Sequence, residues 1–490
     1  MSTRTTKYLL AGGALLALAA CNLAPDYQPP SLTLPPAFKE AGGAPWGPAQ
    51  PADATTRGPW WTAFNDPVLN GLEDKIETAN PSLAVALARY DEARADAASM
   101  SAGLLPRADL NASITNNRQS EDRPLRSRTQ QDVYGNNTIG GTASYEVDLW
   151  GKVRNQVTAG RAASQASAAD LASVRLGLQA ELATDYFALR GLDDRAQILA
   201  DTVTAYEKQL SLTQTMFKGH IVAGMDVSRA ETQLDSARSQ VSQIASQRAQ
   251  MEHAIAALVG LAPAEFSLTA ASWNPSLPAV PTGLPSSLLQ RRPDIAAAER
   301  DVLAANAGIG VARAAYYPDL TLQASGGVEN TGFNLFKLPM TFWSVGPGVT
   351  LPLFDGGRLD AGLAKAVAQH NEASAQYRGT VLTAFREVED NLAAIRLLGQ
   401  AAKEEDAGTG AAQRTLDMAM NLYRDGADSY LDVVTAQTAL LEAQQSSLDL
   451  HTRQVQADVA LIRALGGGWD VKSLPSQEEA ATLPEDTKAP

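Results

Sequence analysis

The sequence has few of the residues that usually carry catalysis, redox chemistry or metal binding. Its 490 residues include one cysteine and four scattered histidines. One cysteine cannot form an internal disulfide. The chain has no phosphate-loop motif, and Gly308 and Gly310 lack the strand-before-helix context of a dinucleotide site. We therefore expect no enzymatic activity, no bound metal and no cofactor apart from a covalent lipid.

Long hydrophobic runs are also missing, except at the N-terminus. There, two basic residues precede the 13 apolar or small residues Tyr8–Ala20. This run is shorter than the ~20 residues that a membrane-spanning helix needs. It is typical of a secretory signal, so residues 1–20 are predicted to be removed.

The one cysteine follows this run directly. Small residues before Cys21 resemble a lipobox, in which the cysteine becomes the lipidated N-terminus. We expect Cys21 to carry a diacylglycerol and an N-acyl chain such as palmitate, since more than one chain gives stable anchoring. Asn22 in place of Asp favours the outer membrane over inner-membrane retention.

The balance of charge argues against nucleic-acid binding. The net charge is −14, and it becomes −16 once Arg4 and Lys7 leave with the signal peptide. Nucleic-acid binding proteins carry clustered positive charge instead. No later segment is hydrophobic enough for a membrane-spanning helix, so any crossing of a membrane must use strands.

The chain contains an internal duplication. Pro81 matches Pro293 at an offset of 212 positions, whereas Gly151 matches Gly357 at an offset of 206. The later offset is kept to the end of the repeat. The six-residue difference lies between 106 and 151, where a loop is expected. Such self-similarity indicates that the fold is built from two copies of one structural unit.

The sequence pattern of each half predicts a helix, two strands and further helices. Asn80 and Pro81 are a good helix start. After Pro106, apolar and polar residues alternate along strands of about ten residues, long enough to cross a bilayer when tilted. The loops at about 117–137 and 329–343 are predicted to face the cell exterior. Taken alone, this pattern also fits an ordinary soluble hairpin.

The helical segments are unusually long. Residues 151–217 and 357–423 contain no proline, and at ~1.5 Å per residue each would span on the order of 100 Å. Helices of this length suggest a rod, a coiled coil or the wall of a tube. Four strands cannot close a barrel, so we expect the duplicated unit to assemble.

Several segments carry a resemblance to the TolC-like outer-membrane factor family, in its lipidated, NodT-type efflux branch. They are Trp60–Pro67, Val147–Lys152, Arg291–Ile295 and Tyr423–Ala436. The resemblance implies a mixed α and β fold. Three copies would form a 12-stranded transmembrane β-barrel, continued by a long periplasmic α-helical barrel.

The expected organisation has six parts. A signal peptide (1–20) precedes a lipidated, Pro-rich arm with a first helix (21–80). The first repeat (81–261) holds a helix, a hairpin (107–149) and helices 151–217 and 227–259. A linker (262–292) in an equatorial belt precedes the second repeat (293–466), with a hairpin (319–355) and helices 357–423 and 433–465. A tail (467–490) ends the chain.

The resemblance also implies a gate where paired helices turn, at Phe217–Asp226 and Tyr423–Asp432. Tyr423 matches a gating tyrosine, and Asp226 and Asp432 match aspartates at the constriction. Asp428 occupies a position where some members carry a locking arginine, and Thr435 replaces a second acidic residue. Asp226 and Asp432 also precede helical runs, so both could be N-cap residues.

We therefore expect a passive duct of a tripartite efflux pump, which carries small molecules such as drugs or metals from the periplasm to the exterior. Its partners would be two further copies, a periplasmic adaptor (membrane fusion) protein and an inner-membrane transporter of the proton-driven type. Two alternatives stay open. One is the outer-membrane duct of a protein-secretion system, and the other is a coiled-coil structural lipoprotein without a channel.

Overall fold

A computed structural model describes residues 22–33, 35–41, 58–120, 122, 127, 129, 131–272, 288–330 and 340–483. The expected signal peptide and Cys21 lie outside these residues. Much of the two hairpin loops, the linker and the end of the tail lie outside them as well.

The described chain contains seven principal helices and four strands. In chain order they are α1 (Pro67–Ala79), α2 (Pro81–Ala102), β1 (Arg107–Arg118), β2 (Val133–Val147), α3 (Lys152–Lys218), α4 (Gly224–Leu258), α5 (Pro293–Ala314), β3 (Asp319–Asn330), β4 (Thr341–Thr350), α6 (Arg358–Arg424) and α7 (Tyr430–Ala464).

The duplication is visible in the lengths of the helices. The pairs α2 and α5, α3 and α6, and α4 and α7 have 22, 67 and 35 residues in each member. The long helices α3 and α6 lie one residue away from the expected ranges. In contrast, α4 and α7 begin three residues earlier than expected, which changes the interpretation of two aspartates described below.

Local signals explain where the helices begin. Asn80 caps α2 by accepting a hydrogen bond from the backbone N–H of Leu83 at 3.0 Å, and Pro81 follows it. Its side chain also donates to the carbonyl of Leu258 at 2.7 Å, which ties the start of α2 to the end of α4. Gly151 and Gly357 precede α3 and α6 with φ of 77° and 88°, a left-handed conformation that favours glycine.

The four strands form one antiparallel sheet in the order β1-β2-β3-β4. The two expected hairpins are therefore joined through β2 and β3, which pair from Asn137 with Asn330 to Val147 with Leu320. Strands β1 and β4 form the two edges of this sheet. The strands contain 12, 15, 12 and 10 residues.

The register places apolar and polar residues on opposite faces of the sheet. Ala108, Ala143, Ala324 and Val345 are successive cross-strand partners and share one face, because side chains alternate along a strand. The apolar face also carries Leu110, Ile114, Ile139, Val147, Leu320, Leu322, Val328, Trp343 and Val349. The polar face carries Asp109, Asn111, Ser113, Thr115, Thr138, Thr142, Ser144, Thr321, Gln323, Ser325, Glu329 and Ser344. The alternation expected from the sequence is confirmed.

The main hydrophobic core surrounds the middle of α3. A short 3-10 helix, Trp60–Phe64, packs there, and the ring centroids of Phe64 and Phe187 are 4.9 Å apart. Tyr186 and Leu189 of α3 are also fully buried. Further buried residues come from α1, α4, α6 and α7. The core therefore binds the N-terminal arm to the helices of both repeats.

Parts of the expected belt lie against the same stretch of α3. Arg190 of α3 donates to the carbonyl of Thr269 at 2.8 Å, and Arg248 of α4 donates to that of Leu268 at 2.6 Å. Thr269 and Leu268 lie in the first part of the linker. In the tail, the carbonyl of Pro475 accepts from Gln165 at 2.8 Å. Within the described residues, no helix combines the length and apolar character required to span a membrane.

Candidate gate at the helical turns

Two short turns reverse the direction of the long helices. In the first, after α3, the N–H of Ile221 donates to the carbonyl of Met216 at 2.9 Å, and that of His220 donates to Phe217 at 2.9 Å. In the second, after α6, the N–H of Ala427 donates to the carbonyl of Leu422 at 2.8 Å, and that of Gly426 donates to the carbonyl of Tyr423 at 3.1 Å. Each turn therefore has the two hydrogen bonds of the Schellman motif, which ends many helices.

The two turns differ at their left-handed residue. Gly426 adopts φ of 72° in the second turn, whereas His220 adopts φ of 61° in the equivalent position of the first. A residue with a Cβ in this conformation carries backbone strain that glycine avoids. The first turn is therefore the more strained of the two.

Tyr423 is buried at the second turn. Its ring centroid lies 5.2 Å from that of Tyr430, and the two residues are 3% and 2% exposed. Their cluster also contains Val433 and Ala230, with Met216, Val222 and Leu210 of the first repeat packed against it. Tyr423 therefore belongs to the contact that joins the two turns.

The charge of the first turn reaches this cluster. Burial raises the pKa of Tyr423, an interaction with the Thr213 side chain partly offsets this, and the negative charge of Asp226 raises it again. Burial also raises the pKa of Tyr430, again with contributions from Tyr423 and Asp226. The tyrosine pair of the second repeat thus lies within electrostatic reach of the first-repeat aspartate.

The equivalent positions in the first repeat hold smaller or exposed groups. Phe217, the counterpart of Tyr423, is 47% exposed. Gly224 is the counterpart of Tyr430, and a Cβ added there would lie 3.5 Å from the Phe217 ring. Only the second repeat therefore supplies two aromatic rings in contact at its turn.

Asp432 lies on the exposed side of the second turn. Its carboxylate accepts a hydrogen bond from the hydroxyl of Ser429 at 2.6 Å, and this bond, with a smaller contribution from Asp428, lowers its pKa. Asp428 accepts from the backbone N–H of Ser429 at 2.7 Å. Among the described residues, no salt bridge involves Asp428 or Asp432. The turn therefore presents uncompensated carboxylates.

Asp226 has a different environment. Its carboxylate lies 3.4 Å from the guanidinium of Arg229, and its side chain is 17% exposed. The position equivalent to Arg229 in the second repeat is Thr435. Asp226 and Asp432 were both predicted as constriction aspartates, but only Asp226 is paired with a basic residue of its own helix.

The N-cap interpretation of these two aspartates is wrong. The helices begin at Gly224 and Tyr430, so the N-cap residues are Ala223 and Ser429. Asp226 and Asp432 instead occupy the first helical turn, where the helix dipole also favours a negative charge. Asp432 lies three residues after Ser429, which is the spacing of a capping box.

Three residues of this region were not predicted, namely Arg229, Ser429 and Tyr430. The first two had a readable signal. Arg229 follows Asp226 by three residues, a spacing that brings side chains together on a helix. Ser429 precedes Asp432 by three residues, as in a capping box. The burial of Tyr430 depends on contacts between the two repeats, which no local pattern encodes.

The lipid-attachment candidate Cys21 lies outside the described residues, but the arm that follows it is ordered against two helices. Asn22 accepts a hydrogen bond from the side chain of Asn155 in α3 at 2.8 Å. The carbonyl of Pro25 accepts from Asn306 at 2.9 Å, and the hydroxyl of Tyr27 donates to Glu299 at 2.8 Å. The arm therefore runs along α5.

The arm begins at the junction between sheet and helix. A Cβ added to Gly151, which links β2 to α3, would lie 3.2 Å from the Asn22 side chain. A Cβ added to Gly310 would lie 2.7 Å from Ala24 and 2.5 Å from Asn155. Both glycines therefore leave space for the first residues of the arm.

Comparison with known proteins assigns the fold and its role. A family described as outer membrane efflux protein matches residues 72–261 and 284–467, which include both repeats. The chain belongs to this outer membrane efflux protein family. The resemblance to TolC-like outer-membrane factors is confirmed, and the chain is an outer-membrane component of an efflux pump, not an enzyme.

Relatives match almost the whole chain. The toluene efflux pump outer membrane protein TtgF of Pseudomonas putida is 32% identical over 464 residues, which cover 93% of this chain and 95% of TtgF. The pyoverdine export outer membrane protein OpmQ of Pseudomonas aeruginosa is 32% identical over 467 residues, covering 93% and 96%. The solved outer-membrane channel OprN superposes with a TM-score of 0.85 at 28% identity, covering 92% and 100%.

Proposed function

We propose that three copies of this efflux protein form a passive duct that carries small apolar or amphiphilic molecules from the periplasm to the cell exterior. The observation that carries this proposal is the sheet. It has one apolar face, one polar face and two edges, β1 and β4.

The sheet cannot be stable in lipid as a single copy. In hydrocarbon, each unpaired backbone N–H or C=O at a sheet edge costs roughly several kcal/mol. Sheets that span a membrane therefore close into barrels, which have no edge. About eight strands is the smallest practical barrel. Pairing of β4 with β1 of the next copy closes the edges, and three copies supply twelve strands.

The two faces then have different solvents. Leu110, Ile114, Trp343 and Val345 are at least 72% exposed in the single chain and are suited to contact with lipid. The opposite face, with Asp109, Thr142, Gln323 and other polar residues, would line a water-filled lumen. The long helices would continue this lumen on the periplasmic side.

The ordered arm supports a lipid anchor at Cys21. Because Asn22 lies at the junction of sheet and helix, acyl chains on the preceding cysteine would be close to the membrane surface of the proposed barrel. Mass spectrometry of the mature protein should find an acylated Cys21 and no residues 1–20. An intact Met1 start in the membrane fraction would contradict the anchor.

The helical turns would close the periplasmic end at rest. Threefold assembly would bring the carboxylates of Asp428 and Asp432 from each copy towards one axis, where like charges repel and attract cations. Tyr423 and Tyr430 would hold the turns together in the closed form. Asp226, paired with Arg229, would contribute less charge to this ring.

The pump would need two further components, a periplasmic adaptor and an inner-membrane transporter, which we propose to be proton-driven. Relatives named for toluene efflux and pyoverdine export support small molecules as cargo. A strain that lacks the protein should accumulate a fluorescent efflux substrate, and expression of the protein should restore efflux. A purified protein with the mass of a monomer or dimer in detergent would contradict the trimer.

A further inference from the structure

Two aromatic residues of the described strands lie on the polar face of the sheet, Tyr134 near the loop end of β2 and Phe342 in β4. Phe342 of β4 pairs with Gly327 of β3, which pairs with Gly140 of β2. Its side chain therefore shares a face with Ser325, Glu329 and other polar residues and points away from the apolar face. An aromatic residue on the apolar face would be explained by contact with lipid. Phe342 lies on the opposite face, so that explanation does not apply to it.

The ring lies across the two glycines. A Cβ added to Gly140 would lie 3.1 Å from Cζ of Phe342, although Gly140 is two strands away from β4. Neighbouring strands are ~4.8 Å apart, so the ring extends over Gly327 to reach Gly140. One side of the ring therefore rests on backbone without side chains, and Phe342 is half-buried in the single chain.

Close approach of the strands requires one of these glycines. A Cβ added to Gly327 would lie 2.3 Å from the carbonyl oxygen of Ile139 and 2.6 Å from Cα of Gly140. The glycine row thus forms a flat floor for the ring. In the proposed barrel, the side of the ring away from the glycines would face the lumen.

We propose that Phe342 is a contact site for aromatic solutes that move through the lumen, and this inference rests on the proposed channel. The outer face of the ring offers offset stacking to an aromatic solute, an interaction unavailable from the hydroxyl, amide and carboxylate groups around it. Three copies would place three such rings at one level of the barrel.

Aromatic cations provide a direct test in planar bilayers. Block of the single-channel current is measured with benzyltrimethylammonium and with tetramethylammonium, which share a head group and differ in the ring. Glu329 lies on the same face, so a cation is drawn to this level. The wild-type trimer should bind the aromatic cation more tightly, by about two- to tenfold.

Variants of Phe342 separate stacking from structure. Phe342→Ala and Phe342→Leu should each remove most of the preference for the aromatic cation, and Phe342→Tyr should retain it. Trp343→Ala is the matched control, because Trp343 is the next residue and lies on the apolar face. It should leave the preference unchanged.

The outcomes are distinct. An unchanged preference in Phe342→Ala, or an equal loss in Trp343→Ala, would overturn the role of Phe342 while the channel stands. If Phe342→Ala lowers only the melting temperature of the trimer, the ring merely shields the glycines and the proposal is wrong. A protein that carries no current either as the wild type or as Tyr423→Ala would overturn both the proposed channel and this inference.

Discussion

Asp226 and Asp432 occupy equivalent positions in the two repeats but have different partners. The carboxylate of Asp226 lies 3.4 Å from the Arg229 guanidinium, whereas the carboxylate of Asp432 accepts a hydrogen bond from the Ser429 hydroxyl at 2.6 Å. The position equivalent to Arg229 holds Thr435. The aspartate is therefore present at both turns, whereas the arginine is present only at the first.

This difference predicts unequal effects on ion selectivity. Asp432→Asn should lower cation selectivity and weaken block by divalent cations severalfold, because it removes an uncompensated charge from the proposed ring. Asp226→Asn is the matched control and should have a smaller effect. Reversal potentials in a salt gradient provide the measurement. Equal effects of both variants, or none, would contradict an acidic constriction at the second turn.

The low pKa of Asp432 gives this selectivity a pH range. The Ser429 hydrogen bond lowers the pKa of Asp432, so it favours the charged carboxylate. Cation selectivity should therefore be lost at a lower pH than it would be without this bond. Ser429→Ala removes the bond and should move the loss of selectivity to a higher pH.

Tyr423 is expected to hold the turns closed. Tyr423→Ala removes a buried ring that contacts Tyr430 and should raise the resting conductance, with a loss of ~3–5 kcal/mol of packing per copy. Tyr423→Phe keeps the ring and should behave as the wild type. Phe217→Ala, at the equivalent exposed position, is the control. A resting conductance in Tyr423→Ala equal to that of the wild type would place the closed contact elsewhere.

Sequence patterns predicted the architecture well because the same pattern occurs in both halves, which align at offsets of 212 and 206 positions. The predicted bounds of every long helix are within three residues of those in the structure, and the alternation along Ala108–Thr115 correctly predicted a strand and its two faces. The partners of Asp226 and Asp432 were not predicted as different. The expected helix starts fell at the aspartates instead of three residues earlier, so a first-turn role was not considered.

The arm is expected to depend on a glycine of α5. Gly310→Ala places a Cβ 2.7 Å from Ala24 and 2.5 Å from Asn155, so it should displace the arm. Limited proteolysis between 22 and 27, followed by mass spectrometry, would detect the displacement. Gly308→Ala is a matched control on the same helix, since a Cβ there meets nothing within 4 Å. Equal cleavage in both variants would show that Gly310 has no role in docking the arm.

Glu73 predicts a dependence of stability on pH. It is fully buried on α1, both of its carboxylate oxygens lack a hydrogen-bond partner among the described residues, and burial raises its pKa from 4.5 to about 9. The folded state therefore holds the proton while the unfolded chain releases it. Stability is greatest below the ordinary pKa and falls as pH rises towards 9, by about 1.4 kcal/mol per unit.

Glu73→Gln should therefore raise the melting temperature at pH 7 and have little effect at pH 4. Glu92→Gln is the control, because Glu92 is an exposed carboxylate on the neighbouring helix α2. It should give no gain at neutral pH. A gain from Glu73→Gln that is the same at both pH values would show that the effect does not arise from the proton.

The channel itself is tested most directly by the single-channel current of the purified wild-type protein in a planar bilayer. The account predicts discrete, cation-selective steps of small amplitude at rest, which increase in amplitude or frequency in Tyr423→Ala. A protein that inserts as a trimer but carries no current in either form would contradict a duct. A structural lipoprotein would then explain the long helices better.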